Sequence, residues 1–322
     1  MTATLWPTAI DAVCKRIATD ARPAFMESLE SQKLPASLAD LLPGFYAPLA
    51  GWISEARSRQ PTTLVVGICG SQGSGKSSLC ALLECCLRQG CGLQAVTLSI
   101  DDLYLTRADR ERRSREVHPL FVTRGVPGTH DVRLGIETLE QLSALDRQQT
   151  LAVPGFDKAI DDRMAPEHWR VATGPVDVVL FEGWCVGASP EPADALATAI
   201  NSLERDEDPH AGWRRHVNAE LAGDYRLLFK KLDRLILLAV DSFERVFEWR
   251  QLQERKLADE HRNDDSHGGA LKIMNDTELI RFIMHYERLT RHILRHMPQD
   301  ADIVVELDAT HNASRVSLKQ LR

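Results

Sequence analysis

The sequence predicts an α/β fold of three layers, in which a five-stranded, mostly parallel sheet lies between helices. Five apolar runs carry this prediction, and most are continuous, as expected for parallel strands that are covered on both faces. They are Leu64–Cys69, Gln94–Ile100, Val176–Phe181, Arg234–Val240 and Asp302–Leu307. Helical stretches separate these runs, which is the order of a doubly wound sheet.

Residues 1–60 predict short helices that form a cap on a main domain of residues 61–322. Ile10, Val13 and Ile17 share one face of a first helix. Prolines at positions 23, 35, 43 and 48 interrupt the rest of the segment. No residue pattern for phosphate chemistry is visible in this cap.

A glycine-rich turn follows the first apolar run. Residues 70–77 match GxxxxGK[ST], and Leu79, Leu82 and Leu83 then recur at helical spacing. Glycines let backbone N–H groups wrap an anionic phosphate chain, and the helix N-terminus adds partial positive charge. A chance match is disfavoured because the motif lies between a strand and a helix. The predicted nucleotide-binding residues are Gly70, Ser71, Gln72, Gly73, Ser74, Gly75, Lys76, Ser77 and Ser78.

Acidic residues stand at the ends of the other predicted strands. Asp101-Asp102 follow the second strand, Glu182 the third, Asp241 the fourth and Asp308 the fifth. Any one of them alone could cap a helix. Because ligands gather at the carboxyl ends of such strands, the group as a whole favours a metal and catalytic site.

Charged and amphipathic stretches complete the chain. Thr106–Arg115 holds five arginines and predicts a solvated helix face, and Glu204–Asp208 predicts an acidic surface loop. Phe243–Asp265 predicts a long charged helix that ends in a flexible segment, Asn263–Gly269. Thr277–Met297 predicts a further helix with a buried apolar stripe.

Composition narrows the class of protein. The chain has 322 residues, 43% hydrophobic and 26% charged, and its formal net charge of −7 disfavours binding to nucleic acid or an anionic membrane. We find no apolar run as long as a membrane span and no signal-peptide pattern. Seven scattered cysteines form neither a disulfide framework nor a metal pattern, so we expect a cytoplasmic protein. The oligomeric state has no signal in the sequence.

Five further stretches, outside the phosphate loop, carry recognisable motifs. They are Ser99–Thr106, Arg124–Asp131, Pro154–Lys158, Leu180–Trp184 and Glu248–Glu254. With the phosphate loop, in this order, they resemble the D-glycerate 3-kinase family within the phosphoribulokinase, uridine kinase and pantothenate kinase group of P-loop kinases. The chain departs from the family's usual pattern at positions 103 and 126 and in an insert at 191–212. The resemblance implies a P-loop NTPase-type fold and ATP-dependent phosphorylation of D-glycerate to 3-phosphoglycerate by direct in-line transfer.

The resemblance also implies catalytic and metal-binding residues. Asp101 aligns with the carboxylate that accepts the proton of the acceptor hydroxyl, and Lys76 contacts the β- and γ-phosphates, so these two are the predicted catalytic residues. Asp102 competes for the role of base; otherwise it orients a Mg²⁺-bound water or caps a helix. Glu182 resembles a Walker B acid, with a helix cap as its alternative. The predicted Mg²⁺ residues are therefore Ser77, Glu182 and Asp102.

Positively charged and polar residues of two motifs are the predicted substrate contacts. Arg124 and His130 flank a Gly/Pro turn that could wrap a small acid, and arginine suits a carboxylate because its fork donates two hydrogen bonds. Asp131 can accept from a substrate hydroxyl, and Lys158 and Arg163 add positive charge on the next loop. For Arg124, His130 and Lys158, a surface or core role is the open alternative.

Two arginines and the end of the fifth strand are further candidates for the nucleotide side. Arg245 and Arg250 lie in the predicted helix Phe243–Asp265, which the resemblance makes the family's lid, and one of them could close over the γ-phosphate. Surface ion pairs are the alternative for Arg245. The tail around His311-Asn312 could border the base. The expected cofactors are ATP and Mg²⁺, and the expected partner is a small-molecule substrate, glycerate. Alternatives are a kinase for a nucleoside or pantothenate, or a regulatory protein that uses NTP hydrolysis as a switch.

Overall fold

The computed structural model describes residues 5–9, 11–251 and 276–319 of the chain. Its strands are, in chain order, β1 (Leu64–Gly70), β2 (Ala95–Ser99), β3 (Thr150–Val153), β4 (Phe156–Asp157), β5 (Asp162–Arg163), β6 (Arg170–Thr173), β7 (Val178–Gly183), β8 (Arg234–Ala239), β9 (Ile303–Leu307) and β10 (Ala313–Leu318). The central sheet has the order β10-β9-β8-β1-β7-β2, and β10 is antiparallel to β9 while the other neighbours are parallel. The predicted α/β class with a mostly parallel sheet is confirmed.

The sheet has six strands where the sequence predicts five. The additional strand, β10, lies at the edge and pairs with β9 from Leu318 opposite Ile303 to Ala313 opposite Leu307. Within β10 only Val316 is fully buried, while Ser314 and Arg315 are exposed. An edge strand of this composition lacks the continuous apolar run by which the other strands are recognised.

Helices cover both faces of the sheet. They are α1 (Ala12–Ser31), α2 (Ala47–Ser58), α3 (Lys76–Cys85), α4 (Arg107–Glu116), α5 (Val132–Ser143), α6 (Ser202–Glu207), α7 (Gly212–Ala222), α8 (Asp224–Phe229), α9 (residues 243–251) and α10 (Asp276–His296). The first three helices share one buried cluster with the sheet, and α5, α7, α8 and α10 share a second cluster on the opposite face. These clusters make the three predicted layers.

The N-terminal segment differs from its prediction in one respect. Helix α1 runs for 20 residues through Pro23 instead of ending there. Proline removes one backbone hydrogen bond, but Ile17, Phe25 and Leu29 are buried along one face and hold the helix against the core. Val13 is exposed, so the predicted apolar face is only partly used, and Ile10 lies outside the described residues.

Two stretches that the charge pattern predicts to be solvated are partly buried. Glu204 and Asp208, predicted to lie in a surface loop, have side chains only 1% exposed, and Asp208 pairs with Arg214 at 2.9 Å. Arg288 of α10 pairs with Glu204 at 2.6 Å. The Arg110 side chain is 2% exposed and also buried. Because these partners are distant in sequence or on other elements, charge patterning along one segment does not reveal them.

The last part of the predicted lid helix cannot be compared with the structure. Helix α9 covers residues 243–251, whereas the rest of Phe243–Asp265 and the segment Asn263–Gly269 lie outside the described residues. Helix α10 agrees with the predicted helix and buries Leu279, Ile283 and Tyr286 among others. Within the described part of the chain, we find no helix that is both long and apolar enough to cross a membrane.

Candidate active site

A cleft of about 630 Å³ opens at the carboxyl edge of the sheet. Strand β1 lies between β7 and β8, so the phosphate loop emerges at the centre of this edge. Glu182 of β7 lies opposite Ile68 of β1 on one side and Ser99 of β2 on the other. Parallel pairing therefore brings Asp101 and Glu182 to the phosphate loop, as the sequence predicts. Asp241 and Asp308 do not line the cleft: Asp241 pairs with Arg245, and Asp308 accepts hydrogen bonds from the turn that follows β9.

The phosphate loop, residues 70–77, has the geometry of an anion cradle. Gly73 and Gly75 adopt φ angles of +79° and +81°, which are strained for any residue with a side chain. The hydroxyls of Ser71 and Ser74 are buried and have no hydrogen-bond partner among the residues that the structure describes. The Lys76 ammonium donates to the Ser71 carbonyl at 3.1 Å. Buried donors without partners at a helix start fit a bound phosphate chain.

Two of the three predicted magnesium residues, Ser77 and Glu182, also meet here, whereas the third, Asp102, does not line the cleft. The Ser77 hydroxyl donates to a Glu182 oxygen at 2.8 Å, and Glu182 is only 5% exposed. Within the described ranges no group of three or more His, Cys, Asp or Glu side chains could hold a metal. Mg²⁺ in kinases is bound by one or two protein oxygens together with substrate phosphates, so this sparse oxygen set fits it.

We expect Glu182→Gln to raise the Mg²⁺ requirement while the fold is kept. Glutamine preserves the acceptor for Ser77 but removes the negative charge, and losing such a partner weakens metal affinity about 10–100-fold. The measurement is a Mg²⁺ titration of activity at saturating nucleotide, with Glu84→Gln, which lies outside the cleft, as the matched control. A titration identical to wild type would favour the helix-cap alternative for Glu182.

Asp101 lies in the cleft with both carboxylate oxygens engaged. Lys158 donates to one oxygen at 2.6 Å and the Tyr104 hydroxyl donates to the other at 2.9 Å. Burial by itself raises the pKa of Asp101, but the Lys158 charge and hydrogen bond, with smaller effects of Lys76 and His130, outweigh it and hold the pKa at about 2. Asp101 is therefore ionised and oriented at neutral pH.

Asp102 has a different environment, although it is adjacent in sequence. One of its oxygens accepts from the Phe156 backbone N–H at 3.3 Å, and the residue is not part of the cleft wall. Burial, with the neighbouring charges of Asp101 and Glu182, raises its pKa to about 6. The structure thus separates the two candidate bases by position and by proton affinity.

A small antiparallel arm carries Lys158 to Asp101. Strands β3 and β6 pair at its base and β4 and β5 near its tip, and Lys158 follows β4 directly. Arg163, predicted to lie on a loop, lies within β5. Such short strands have too few residues for an alternation pattern, so the sequence alone indicates only a loop.

Arg124 lines the cleft and is held from two directions. Its guanidinium forms an ion pair with Asp161 and lies 5.5 Å from the centre of the Phe156 ring. The Tyr286 hydroxyl donates to the Arg124 carbonyl at 3.0 Å. Tyr286 itself lines the cleft from α10, and as part of a predicted buried stripe it carried no functional signal.

Three other predicted substrate residues lie behind the cleft wall. His130 stacks on Tyr104 with ring centres 4.5 Å apart and bonds to the Tyr225 hydroxyl at 2.6 Å. Burial lowers the pKa of His130 to about 4, so the imidazole is neutral at neutral pH. Asp131 caps α5 and pairs with Arg163 at 3.2 Å. His130, Asp131 and Arg163 are not part of the cleft lining in the described chain. His130 and Arg163 contact Tyr104 from behind the wall.

The two arginines of α9 have different positions. Arg250 lines the cleft, with its guanidinium 5.6 Å from the centre of the Phe282 ring. Arg245 pairs with Asp241 at 3.0 Å and with Glu248 at 3.1 Å, which are the contacts of the surface ion-pair alternative.

An aromatic contact of Trp249 also connects α9 to the phosphate loop. Trp249 stacks on His311 with ring centres 4.2 Å apart, and His311 donates to the Gly73 carbonyl at 2.8 Å. A side chain at Gly73 would come within 3.1 Å of Trp249. The phosphate loop, α9 and the β9–β10 turn therefore form one contiguous wall of the cleft, and the contact of His311 with the base stays a prediction.

Known proteins resemble this chain in sequence and in structure. Uncharacterized kinase mug58 of Schizosaccharomyces pombe is 32% identical over 229 residues, which are 69% of this chain and 78% of that protein. The chloroplastic D-glycerate 3-kinase of Arabidopsis thaliana is 32% identical over 231 residues, and the chain spans 46% of its length. The solved D-glycerate 3-kinase of Cryptococcus neoformans var. grubii is 25% identical with a TM-score of 0.69, covering 85% of this chain and 99% of that one. No protein-family model matches.

Sequence identity and fold lead to the same group of enzymes. The identity exceeds 30% over more than two thirds of a kinase relative, and the architecture and phosphate loop are those of P-loop kinases. The chain therefore belongs to the family of P-loop small-molecule kinases that includes D-glycerate 3-kinase.

Proposed function

We propose that the protein transfers the γ-phosphoryl group of ATP to D-glycerate and forms 3-phosphoglycerate. One observation carries this proposal: a single cleft joins the phosphate loop and Asp101 to a cationic acceptor end with Arg124, Lys158 and Arg250. The D-glycerate 3-kinase relatives support the choice of acceptor. We place the enzyme in the cytoplasm, in line with seven free cysteines.

The residues divide between positioning, charge stabilisation and proton transfer. Lys76 and the N–H groups of the phosphate loop hold the β- and γ-phosphates, where negative charge develops during transfer. Ser77 and Glu182 would hold Mg²⁺ together with the nucleotide, and the bound ion would neutralise negative charge on the phosphates. Asp101 orients the acceptor hydroxyl and takes its proton. A pKa of about 2 makes Asp101 a weak base, which suits a loose transition state in which little proton transfer is needed early.

Recognition of the acceptor carboxylate rests on Arg124 in this proposal. His130 is neutral and lies behind Tyr104, so it cannot supply a positive charge to that carboxylate. Arg124 is 26% exposed at its side chain and permanently charged, and it lies in the same cleft as Lys158. A small hydroxy acid can place its carboxylate on Arg124 while one hydroxyl faces Asp101.

We expect Arg124→Met to lower kcat/KM for D-glycerate by about 2–4 kcal/mol, the range for a truncated charge-assisted contact. ATP affinity should stay near wild type because Arg124 is not in the phosphate loop. Asp161 keeps an ion pair with Arg110 at 3.0 Å, so the substitution does not leave that carboxylate alone. Glyceramide, which keeps both hydroxyls and loses the charge, should be a far poorer substrate than D-glycerate.

The matched control is Arg113→Met. Arg113 also pairs with a carboxylate, Glu220, and lies 5.5 Å from an aromatic ring, that of Phe121, but it does not line the cleft. The Arg113→Met substitution should leave kcat and KM for D-glycerate unchanged. Equal activity on glycerate and glyceramide, or loss of ATP binding in Arg124→Met, would contradict the carboxylate assignment and favour a neutral acceptor such as a nucleoside.

A further inference from the structure

Arg110 is a buried charged residue that has no role in the reaction described above. It lies on α4 with a side chain only 2% exposed, and it is not part of the cleft wall that the described residues form. Burying an arginine is costly unless its N–H groups are hydrogen-bonded. The partners of this side chain therefore indicate what its position achieves.

The Arg110 guanidinium donates to main-chain carbonyls of three separate segments. Its Nε donates to the Leu105 carbonyl at 3.3 Å, and its Nη1 donates to the Val122 carbonyl at 3.0 Å. Its Nη2 donates to the Asp161 carbonyl at 2.7 Å and forms an ion pair with the Asp161 carboxylate at 3.0 Å. A guanidinium can bond in several directions at once because its N–H groups are fixed in a planar fork.

The first two segments lead directly to residues of the cleft. Leu105 follows Tyr104, which lines the cleft and donates from its hydroxyl to Asp101 at 2.9 Å. Val122 lies shortly before Arg124 in the chain. Fixing these two carbonyls on one side chain therefore limits how far Asp101 and Arg124 can move relative to each other.

The third segment is the tip of the antiparallel arm. Asp161 lies in the turn between β4 and β5, which begins with Lys158, and the Met164 N–H donates to the Gly155 carbonyl across this hairpin at 2.9 Å. The Asp161 carboxylate also pairs with Arg124. Two guanidinium groups thus share one carboxylate, so the cluster keeps a net positive charge on the side of the acceptor.

We propose that Arg110 is the positioning residue of the acceptor end of the cleft. It holds the arm and residues 122–124 against the segment that carries Asp101. This inference rests on the proposed function, since it concerns the side chains that the proposal assigns to the acceptor. The hydrogen bonds and the ion pair of Arg110 all go to segments outside the phosphate loop, so its role does not extend to holding the nucleotide.

The kinetic test uses Arg110→Met, which removes every donor, and Arg110→Lys, which keeps the charge without the planar fork. We expect kcat/KM for D-glycerate to fall about 10²-fold in Arg110→Met, the cost of misplacing a reacting group by about 1 Å. Arg110→Lys should remain roughly tenfold below wild type, because one ammonium cannot replace a fork that bonds to three segments. The Kd for Mg²⁺-ATP, measured by calorimetry, should not change in either variant.

The matched control is Arg214→Met, at another buried arginine. The Arg214 side chain is 3% exposed, donates to the Leu196 carbonyl at 2.8 Å, and pairs with the Asp208 carboxylate at 2.9 Å, but it does not line the cleft. Both methionine variants should lose thermal stability, since each removes a donor from buried carbonyls. Only Arg110→Met should change the glycerate kinetics, assayed well below the Tm of each variant.

Amide hydrogen exchange tests the same role without an acceptor, and Arg110→Lys carries the test if Arg110→Met does not fold. With Mg²⁺ and a non-hydrolysable ATP analogue bound, residues 155–164 should exchange faster in Arg110→Lys than in wild type, and α3 should be unchanged. Wild-type kinetics and exchange in folded Arg110→Lys would overturn the proposal, as would an equal kinetic loss in Arg214→Met. A wild-type protein that does not phosphorylate glycerate, with the faster exchange of the arm intact, would instead contradict the proposed acceptor and leave the role of Arg110 in place.

Discussion

Lys76→Ala is expected to abolish phosphoryl transfer in a protein that remains folded. Lys76 is the first residue of α3, and its ammonium donates to the Ser71 carbonyl at the mouth of the cleft rather than packing in the core. Removing a charged group that stabilises the transferring phosphoryl group should cost at least about 10²–10³-fold in kcat. Steady-state release of ADP with ATP and D-glycerate as substrates measures this loss.

The control for Lys76→Ala is the same substitution at a lysine outside the cleft. Lys231 pairs with Glu140 at 2.7 Å on the protein surface, and Lys231→Ala should leave turnover and thermal unfolding unchanged. Circular dichroism and the Tm of Lys76→Ala should match wild type, since little packing is lost. Near-normal turnover by a pure and folded Lys76→Ala protein would show that this loop does not hold the transferred phosphate.

Asp101→Asn should reduce kcat by about 10²–10⁴-fold, the usual cost of losing a general base. Asparagine retains the size of the side chain and an acceptor for Tyr104. The asparagine side chain cannot take a proton. With its oxygen on Tyr104, its NH₂ group faces Lys158 and cannot accept a hydrogen bond from that ammonium. ATP affinity, measured by calorimetry, should be nearly unchanged because Asp101 is outside the phosphate loop.

Asp102→Asn is the matched comparison, since it makes the same chemical change one residue away. Asp102 does not line the cleft and accepts a hydrogen bond from the Phe156 backbone N–H, so its substitution should be the milder of the two. The opposite ranking would transfer the role of base to Asp102.

The pH dependence of kcat distinguishes the two carboxylates independently. A lowered pKa means that the ionised form is stabilised, so Asp101 loses its charge only as the pH falls toward about 2. If Asp101 is the base, its titration contributes no acid limb between about pH 5 and pH 8, where ordinary carboxylates are already ionised. Asp102, with a pKa raised to about 6, would instead produce a limb in that range. An acid limb near pH 6 that Asp102→Asn removes would therefore contradict the assignment to Asp101.

The outline of the fold could be predicted because its signals are local. Continuous apolar runs such as Leu64–Cys69 identify buried parallel strands, and a glycine-rich turn with Lys76 and Ser77 identifies the phosphate loop. The convergence of Asp101 and Glu182 also follows, since parallel strands present their carboxyl ends at one edge. For these features the sequence contains both the residue types and the order that the physical argument needs.

Contacts between distant segments could not be read in this way. The burial and neutrality of His130 depend on Tyr104 and Tyr225, and the burial of Glu204 depends on Arg288, 84 residues further along the chain. The position of Arg250 in the cleft, while Arg245 pairs at the surface, follows from how α9 lies on the phosphate loop.

What the sequence by itself determined is therefore the fold class, the phosphate loop and the set of chemically competent residues. Only the tertiary structure decided which of those residues face the cleft, which support it from behind, and that Leu38 of the N-terminal cap shares the cleft with the phosphate loop. The physical reason is that periodicity and motif spacing act over a few residues, whereas burial, charge pairing and pKa depend on neighbours that the fold brings together from distant parts of the chain.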